Sequence, residues 1–162
     1  MKVLIVDDDV VSRMMLMHLV DSCGRYDILE AEDGADAWRQ LEAGLRPALV
    51  FCDLRMPRLS GMELLARVKA DERFASLPFV LVSAADDGAT MEQALALGAA
   101  GYIVKPFDTA KVLRFLAGLD EVCLGLRHLE FRLVVGDPVL PAEQRLAQRD
   151  RVAVAIEARI GI

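Results

Sequence analysis

The sequence predicts an α/β fold: a five-stranded parallel sheet, doubly wound by helices on both faces, with a mostly helical C-terminal extension. Three observations carry this. Short apolar runs alternate with segments whose apolar residues recur at spacings of three and four. Chain breakers fall between them, at Gly34, Gly44, Pro47, Gly61, Pro78, Gly98 and Pro106. Acidic, hydroxyl and amino side chains stand directly after several of the runs, at the edge where an open parallel sheet gathers its binding groups.

The elements follow in order. Lys2–Val6 is the first strand and Val11–Cys23 the first helix; Asp27–Glu30 and Ala35–Ala43 form the second pair. Ala48–Cys52 is the third strand and Met62–Ala70 its helix, followed by Phe79–Val82 with Thr90–Leu97. Gly101–Val104 is the fifth strand, and Asp108–Gly118 opens on the N-cap Asp108 with Val112, Phe115 and Leu116 on one face. Three of the five strands are nearly continuous in Val, Ile, Leu or Phe, as buried parallel strands are. Right-handed crossovers then place helices over both faces.

Composition bounds the function. A chain of 162 residues fits about one domain of ~100–200 residues. Folding would reduce its exposed surface from about 26,000 Å² to roughly 8,000 Å², enough for a core that needs no staples. No apolar run approaches the ~20 residues of a membrane span. The opening MKVLIVDDD matches no export signal, so a cytoplasmic protein is expected. Net charge −6 and a pI near 4.9 argue against a nucleic-acid footprint. Cys23, Cys52 and Cys123 are widely spaced and read as small buried hydrophobes in a reducing compartment. His18 and His128 form no ligand-like pair, which disfavours zinc chemistry and a histidine-based triad.

The chemistry lies at the strand ends. Asp7, Asp8 and Asp9 follow the first strand, Asp53 the third, Ser83 the fourth and Lys105 the fifth. Any one of the acids or the serine could simply cap the next helix, but four such groups at four strand ends converge on one crevice. Clustered carboxylates repel unless a cation joins them, and oxygen-only ligands suit Mg²⁺. A carboxylate can itself be a nucleophile and become an aspartyl phosphate. A lysine and Mg²⁺ would offset charge on the transferring phosphoryl group, and a serine hydroxyl would donate to its oxygens. The pattern reads as phosphoryl transfer onto a carboxylate.

Four separated motifs, VLIVDDD, VFCDLRMPRLSGMELL, FVLVSA and GAAGYIVKPF, closely resemble the receiver domains of two-component response regulators over about residues 2–118. The resemblance implies a flavodoxin-like sheet of order 2-1-3-4-5. It implies that Asp53 accepts the phosphoryl group from a sensor histidine kinase or a phosphotransfer protein. Asp8 would be the main acidic ligand of Mg²⁺, with Asp7 supporting it, Asp53 sharing the ion and Arg55 offering only its backbone carbonyl. Lys105 would contact the phosphoryl group, Ser83 would be the switch hydroxyl and Tyr102 the switch aromatic, and Pro106 would follow a cis bond. Ala85 has no group to place an attacking water, so slow dephosphorylation is expected. Asp9 reads as a solvated charge at the first helix rather than a further ligand. The result is a signalling switch, not an enzyme acting on a separate substrate. Its surface of fourth helix, fifth strand and fifth helix would change for a protein contact or a homodimer.

Two other classes match part of the pattern. Asp7-Asp8-Asp9-Val10 also fits the DxDx pattern of haloacid-dehalogenase-type phosphatases, with Asp7 as nucleophile, but that scheme has no role for the stretch from Asp53 to Pro57. A docking or dimer module independent of phosphorylation is the third, and the complete set of Asp8, Asp53, Ser83 and Lys105 argues against it. Beyond the receiver, 1–118, the extension 119–162 continues a heptad pattern through Leu119, Leu126 and Leu133, interrupted by Gly118 and Gly125. It reads as a helical dimerisation arm or a linker to an output domain. Its seven acidic residues against six arginines leave no basic stripe for DNA.

Overall fold

A computed structural model describes residues 1–84, 88–107 and 109–123, with 119–123 described by backbone alone. Among the described residues ten elements alternate strictly: β1 (Lys2–Val6), α1 (Val10–Asp21), β2 (Asp27–Ala31), α2 (Gly34–Glu42), β3 (Leu49–Asp53), α3 (Gly61–Ala70), β4 (Phe79–Ser83), α4 (Gly88–Ala96), β5 (Gly101–Val104) and α5 (Thr109–Cys123). All strand pairs are parallel and the sheet order is β2-β1-β3-β4-β5. The expected doubly wound sheet is the observed one.

Strand composition sorts the sheet. Every residue of β3 and β4 is buried, as are Val3 to Val6 of β1, so the three continuous apolar runs are the three central strands. The outer strands β2 and β5 are only partly covered, and their residues mix apolar with polar or small side chains. From α3, Leu64, Leu65 and Val68 reach the same core as Val50, Cys52, Phe79 and Leu81. Each large apolar side chain so buried contributes about 1.5–3 kcal/mol.

Local chemistry sets the helix starts. Asp9, Asp33 and Ser60 cap α1, α2 and α3 by accepting from the amides of Ser12, Asp36 and Glu63, and Ser60 with Glu63 completes a capping box. Gly34 and Gly61 are therefore first helical residues rather than interruptions. Gly44 and Gly98 have φ of +108° and +102° just beyond α2 and α4, where a Cβ is disfavoured.

Most helix boundaries differ from the sequence reading by one or two residues, and three strand ends differ in ways that bear on the site. β2 extends to Ala31, whereas Asp53 and Ser83 are the last residues of β3 and β4 rather than the residues after them. They stay in the ladder because their neighbours continue: Asp53 pairs with Val82 and Ser83 with Val104. α5 runs through Gly118 to Cys123 without a break. The first compact unit of the chain is Met1–Leu113, and the boundary with the second falls inside α5. Asp108, Ala85 and the heptad positions from Leu126 onward lie outside the described residues, and so do most of the readings made for 119–162. No described helix is long and apolar enough to cross a membrane.

Candidate functional site

β1 and β3 are adjacent in the sheet, so the residues at their carboxyl ends share one edge. Asp7 is nearly buried at 3% exposure, Asp53 at 8%, and Asp8 is exposed. One carboxylate oxygen from each of the three lies within 4.8 Å of the other two. Such a group holds together only around positive charge.

Lys105 supplies part of that charge. Its Nζ lies 2.9 Å from Asp7 Oδ2, 98 positions earlier in sequence, and 2.8 Å from Asp53 Oδ1. The backbone brings it there, because the Lys105 amide donates to the Ser83 carbonyl at 2.7 Å and extends the β4–β5 ladder. The Lys105–Pro106 bond is cis, as expected.

Burial and charge oppose each other at this bridge. Burial is the largest influence on Asp53 and raises its pKa, although Lys105 and the Arg55 amide favour the ionised form. Burial also works against the charge on Lys105, but hydrogen bonds to Asp53 and Asp7 outweigh it and hold the ammonium above its ordinary range. The Cys52 thiol beside them is pushed far up by burial, then by Asp53 and Asp7, so it is an inert neighbour.

Asp7 and Asp53 are held on their other oxygens too. The Asp9 amide donates to Asp7 Oδ1 at 2.9 Å, and the Arg55 amide to Asp53 Oδ2 at 3.0 Å. Asp9 itself is exposed and caps α1. Ser83 is buried at the end of β4, tied to Lys105 through the backbone. Tyr102 is half-buried on β5 and packs against the core.

Arg13 was not singled out from the sequence. Its Nη1 donates to the Asp7 carbonyl at 2.7 Å while its Nε pairs with Glu30 at 3.0 Å, clamping the end of β1 to β2. The only sequence signal was an arginine one helical turn after the aspartates, a spacing shared by many solvent-facing arginines.

The donors fit a hard divalent cation: three carboxylates, oxygen only, one side open to solvent. The profile of the response regulator receiver domain family matches residues 3–117. The chain belongs to this family. Chemotaxis protein CheY1 of Helicobacter pylori strain J99 is 37% identical over 114 residues, covering 70% of this chain and 91% of that protein. A response regulator receiver protein from Pseudomonas putida is similar in structure, with a TM-score of 0.66 at 33% identity over 72% of this chain and 94% of the other. The receiver domain of the sensor histidine kinase PA1611 from Pseudomonas aeruginosa, solved with a magnesium ion coordinated in its active-site cleft, has a TM-score of 0.64 at 28% identity, covering 71% and 93%. The receiver described here is thus a domain of two-component signalling.

Proposed function

We propose that this receiver accepts a phosphoryl group on Asp53 from a sensor kinase phosphohistidine or a phosphotransfer protein, with Mg²⁺ as cofactor. The observation that carries the reading is the Lys105 ammonium held between Asp7 and Asp53 within the three-carboxylate group. Asp8, Asp53 and Asp7, with the Arg55 backbone carbonyl, would hold the ion. When bound, it supplies positive charge against the phosphoryl oxygens.

The chain's own residues do the rest. A carboxylate oxygen of Asp53 forms the new O–P bond as the N–P bond of the donor breaks, and the electron pair of that bond returns to the donor imidazole. Lys105, already 2.8 Å from Asp53 Oδ1, turns its ammonium to a phosphoryl oxygen. The Ser83 hydroxyl donates to another, and Tyr102 moves inward behind it. The switch is a population shift biased by these charge-assisted hydrogen bonds, read out on the face of α4, β5 and α5.

Donor access is supported by the surface of α1. Val10, Val11, Met14 and Met15 are 53%, 65%, 63% and 52% exposed, an apolar face directly after the aspartates. The receiver would comprise residues 1–118, with 119–162 serving a homodimer or leading to an output domain, in the cytoplasm.

The test is labelling with acetyl phosphate in Mg²⁺, read by intact mass. The wild type should gain one phosphoryl group and Asp53→Asn none. A label retained by Asp53→Asn would move the nucleophile to Asp7, as in the dehalogenase-type scheme. An unlabelled wild type would favour a docking module that works without phosphorylation.

A further inference from the structure

The loop 54–60 joins the acceptor strand to α3 and is tied down near both ends. Leu54 donates its amide to the Val82 carbonyl at 2.7 Å, and the Gly61 amide returns to the Leu54 carbonyl at 3.0 Å. Within it, the Arg55 amide holds Asp53 Oδ2. The middle of the loop has a different anchor. Arg58 has φ +68°, the one positive φ outside glycine among the described residues, a conformation disfavoured for any residue with a Cβ. Such a conformation persists only where the surroundings impose it.

Two contacts impose it: the Leu59 amide donates to the Pro57 carbonyl at 2.8 Å, closing a tight turn around Arg58, and the loop is tied to the start of α2. The Arg58 guanidinium pairs with Asp33 Oδ2, on a side chain that is 1% exposed. Asp33 Oδ1 is already used, accepting from the Asp36 amide at 2.8 Å to cap the helix. Among the described residues no other group donates to the buried Oδ2, so the charge of Arg58 is what compensates it. Beside this pair, Leu59 lies so close to Gly34 that a Cβ there would overlap its carbonyl. The pair therefore offsets two costs at once, the left-handed backbone of Arg58 and the buried oxygen of Asp33, and each partner keeps the other in place.

We propose that Arg58 is a positioning residue of the carboxylate site: held by Asp33, it sets the loop 54–60 and, through the Arg55 amide, the orientation of the Asp53 carboxylate. The claim about geometry stands on the loop alone; its consequence for Mg²⁺ rests on the function proposed above.

Three variants separate positioning from bulk stability. Arg58→Gly tolerates the left-handed backbone but loses the pair. Asp33→Asn keeps an oxygen to cap α2 but loses the charge. Arg58→Lys keeps the charge without the guanidinium fork. In ¹H–¹⁵N NMR spectra of metal-free protein, Arg58→Gly and Asp33→Asn should displace the Arg55 amide in the same sense. Titration calorimetry should show Mg²⁺ binding weakened roughly three- to tenfold in each, with the double variant no worse than the singles. Arg58→Lys should recover part of both. Thermal melting establishes that each variant is folded. An Arg55 amide and Mg²⁺ affinity unchanged in folded variants, with only the melting temperature lowered, would overturn the proposal. If the wild type fails to bind Mg²⁺, the proposed function loses its cofactor, whereas the Arg55 amide still decides the positioning role.

Discussion

Lys105 is the residue on which the site turns, because one ammonium bridges two carboxylates that would otherwise repel each other across adjacent strands. The same charge competes with a divalent cation for those oxygens. Lys105→Met should therefore bind Mg²⁺ more tightly than the wild type, yet take phosphoryl from acetyl phosphate about 10²-fold more slowly, since a charge aimed at the transferring group is lost. Mg²⁺ titration and a labelling time course measure the two effects, and a fall or rise in both together would contradict the assignment. The roles of Asp7, Asp53 and Lys105 could be suspected from their places after apolar runs. Arg13, Asp33 and Arg58 could not. Arginines and capping aspartates are common on surfaces, and what sets these apart is the partner each one meets across the fold.

Among the elements, α3 shows how a helix is fitted to a site. Gly61 opens it so close to β3 that a Cβ would overlap the Asp53 carbonyl and touch Leu81. Helix propensity alone favours alanine over glycine by about 1 kcal/mol. Packing should win, because a backbone carbonyl of a central strand has nowhere to move. Gly61→Ala is expected to lower the melting temperature and slow acetyl phosphate labelling. A stabilised protein with normal labelling would show that β3 and α3 can separate at little cost. At this scale much was legible: all five strands and helices were anticipated, and the continuous runs marked the central strands. The ends of β3 and β4 were displaced by one residue, because a strand stops where its neighbour's ladder stops. That is a property of the pair, invisible in either run alone.

For the molecule as a whole, the proposed switch has to leave the receiver through a surface. Leu97, directly after α4, and Leu113 on α5 are exposed, and α5 extends without interruption to Cys123. If phosphorylation drives pairing through the face of α4, β5 and α5 or the residues beyond it, light scattering of the full chain should report a monomer without phosphoryl donor and a dimer with acetyl phosphate and Mg²⁺. A monomer under both conditions would remove the homodimer and leave a heterologous protein as the target.

The division between what the chain announces and what folding adds follows from the range of the forces involved. Alternation, capping and breakers act over a few residues, so the kinds of element and their succession can be read directly from the string of side chains. The motif spacing points to the receiver family for the same reason, since each motif is a local segment. Which strand lies beside which, and hence that Lys105 meets Asp7 and Asp53, depends on burying three continuous apolar strands at the centre of one sheet. The clamp of Arg13 on Asp7 and the pairing of Arg58 with Asp33 are later still. They are contacts between elements already in place, made because a buried oxygen needs a donor or a charge and the fold leaves one arginine within reach of each.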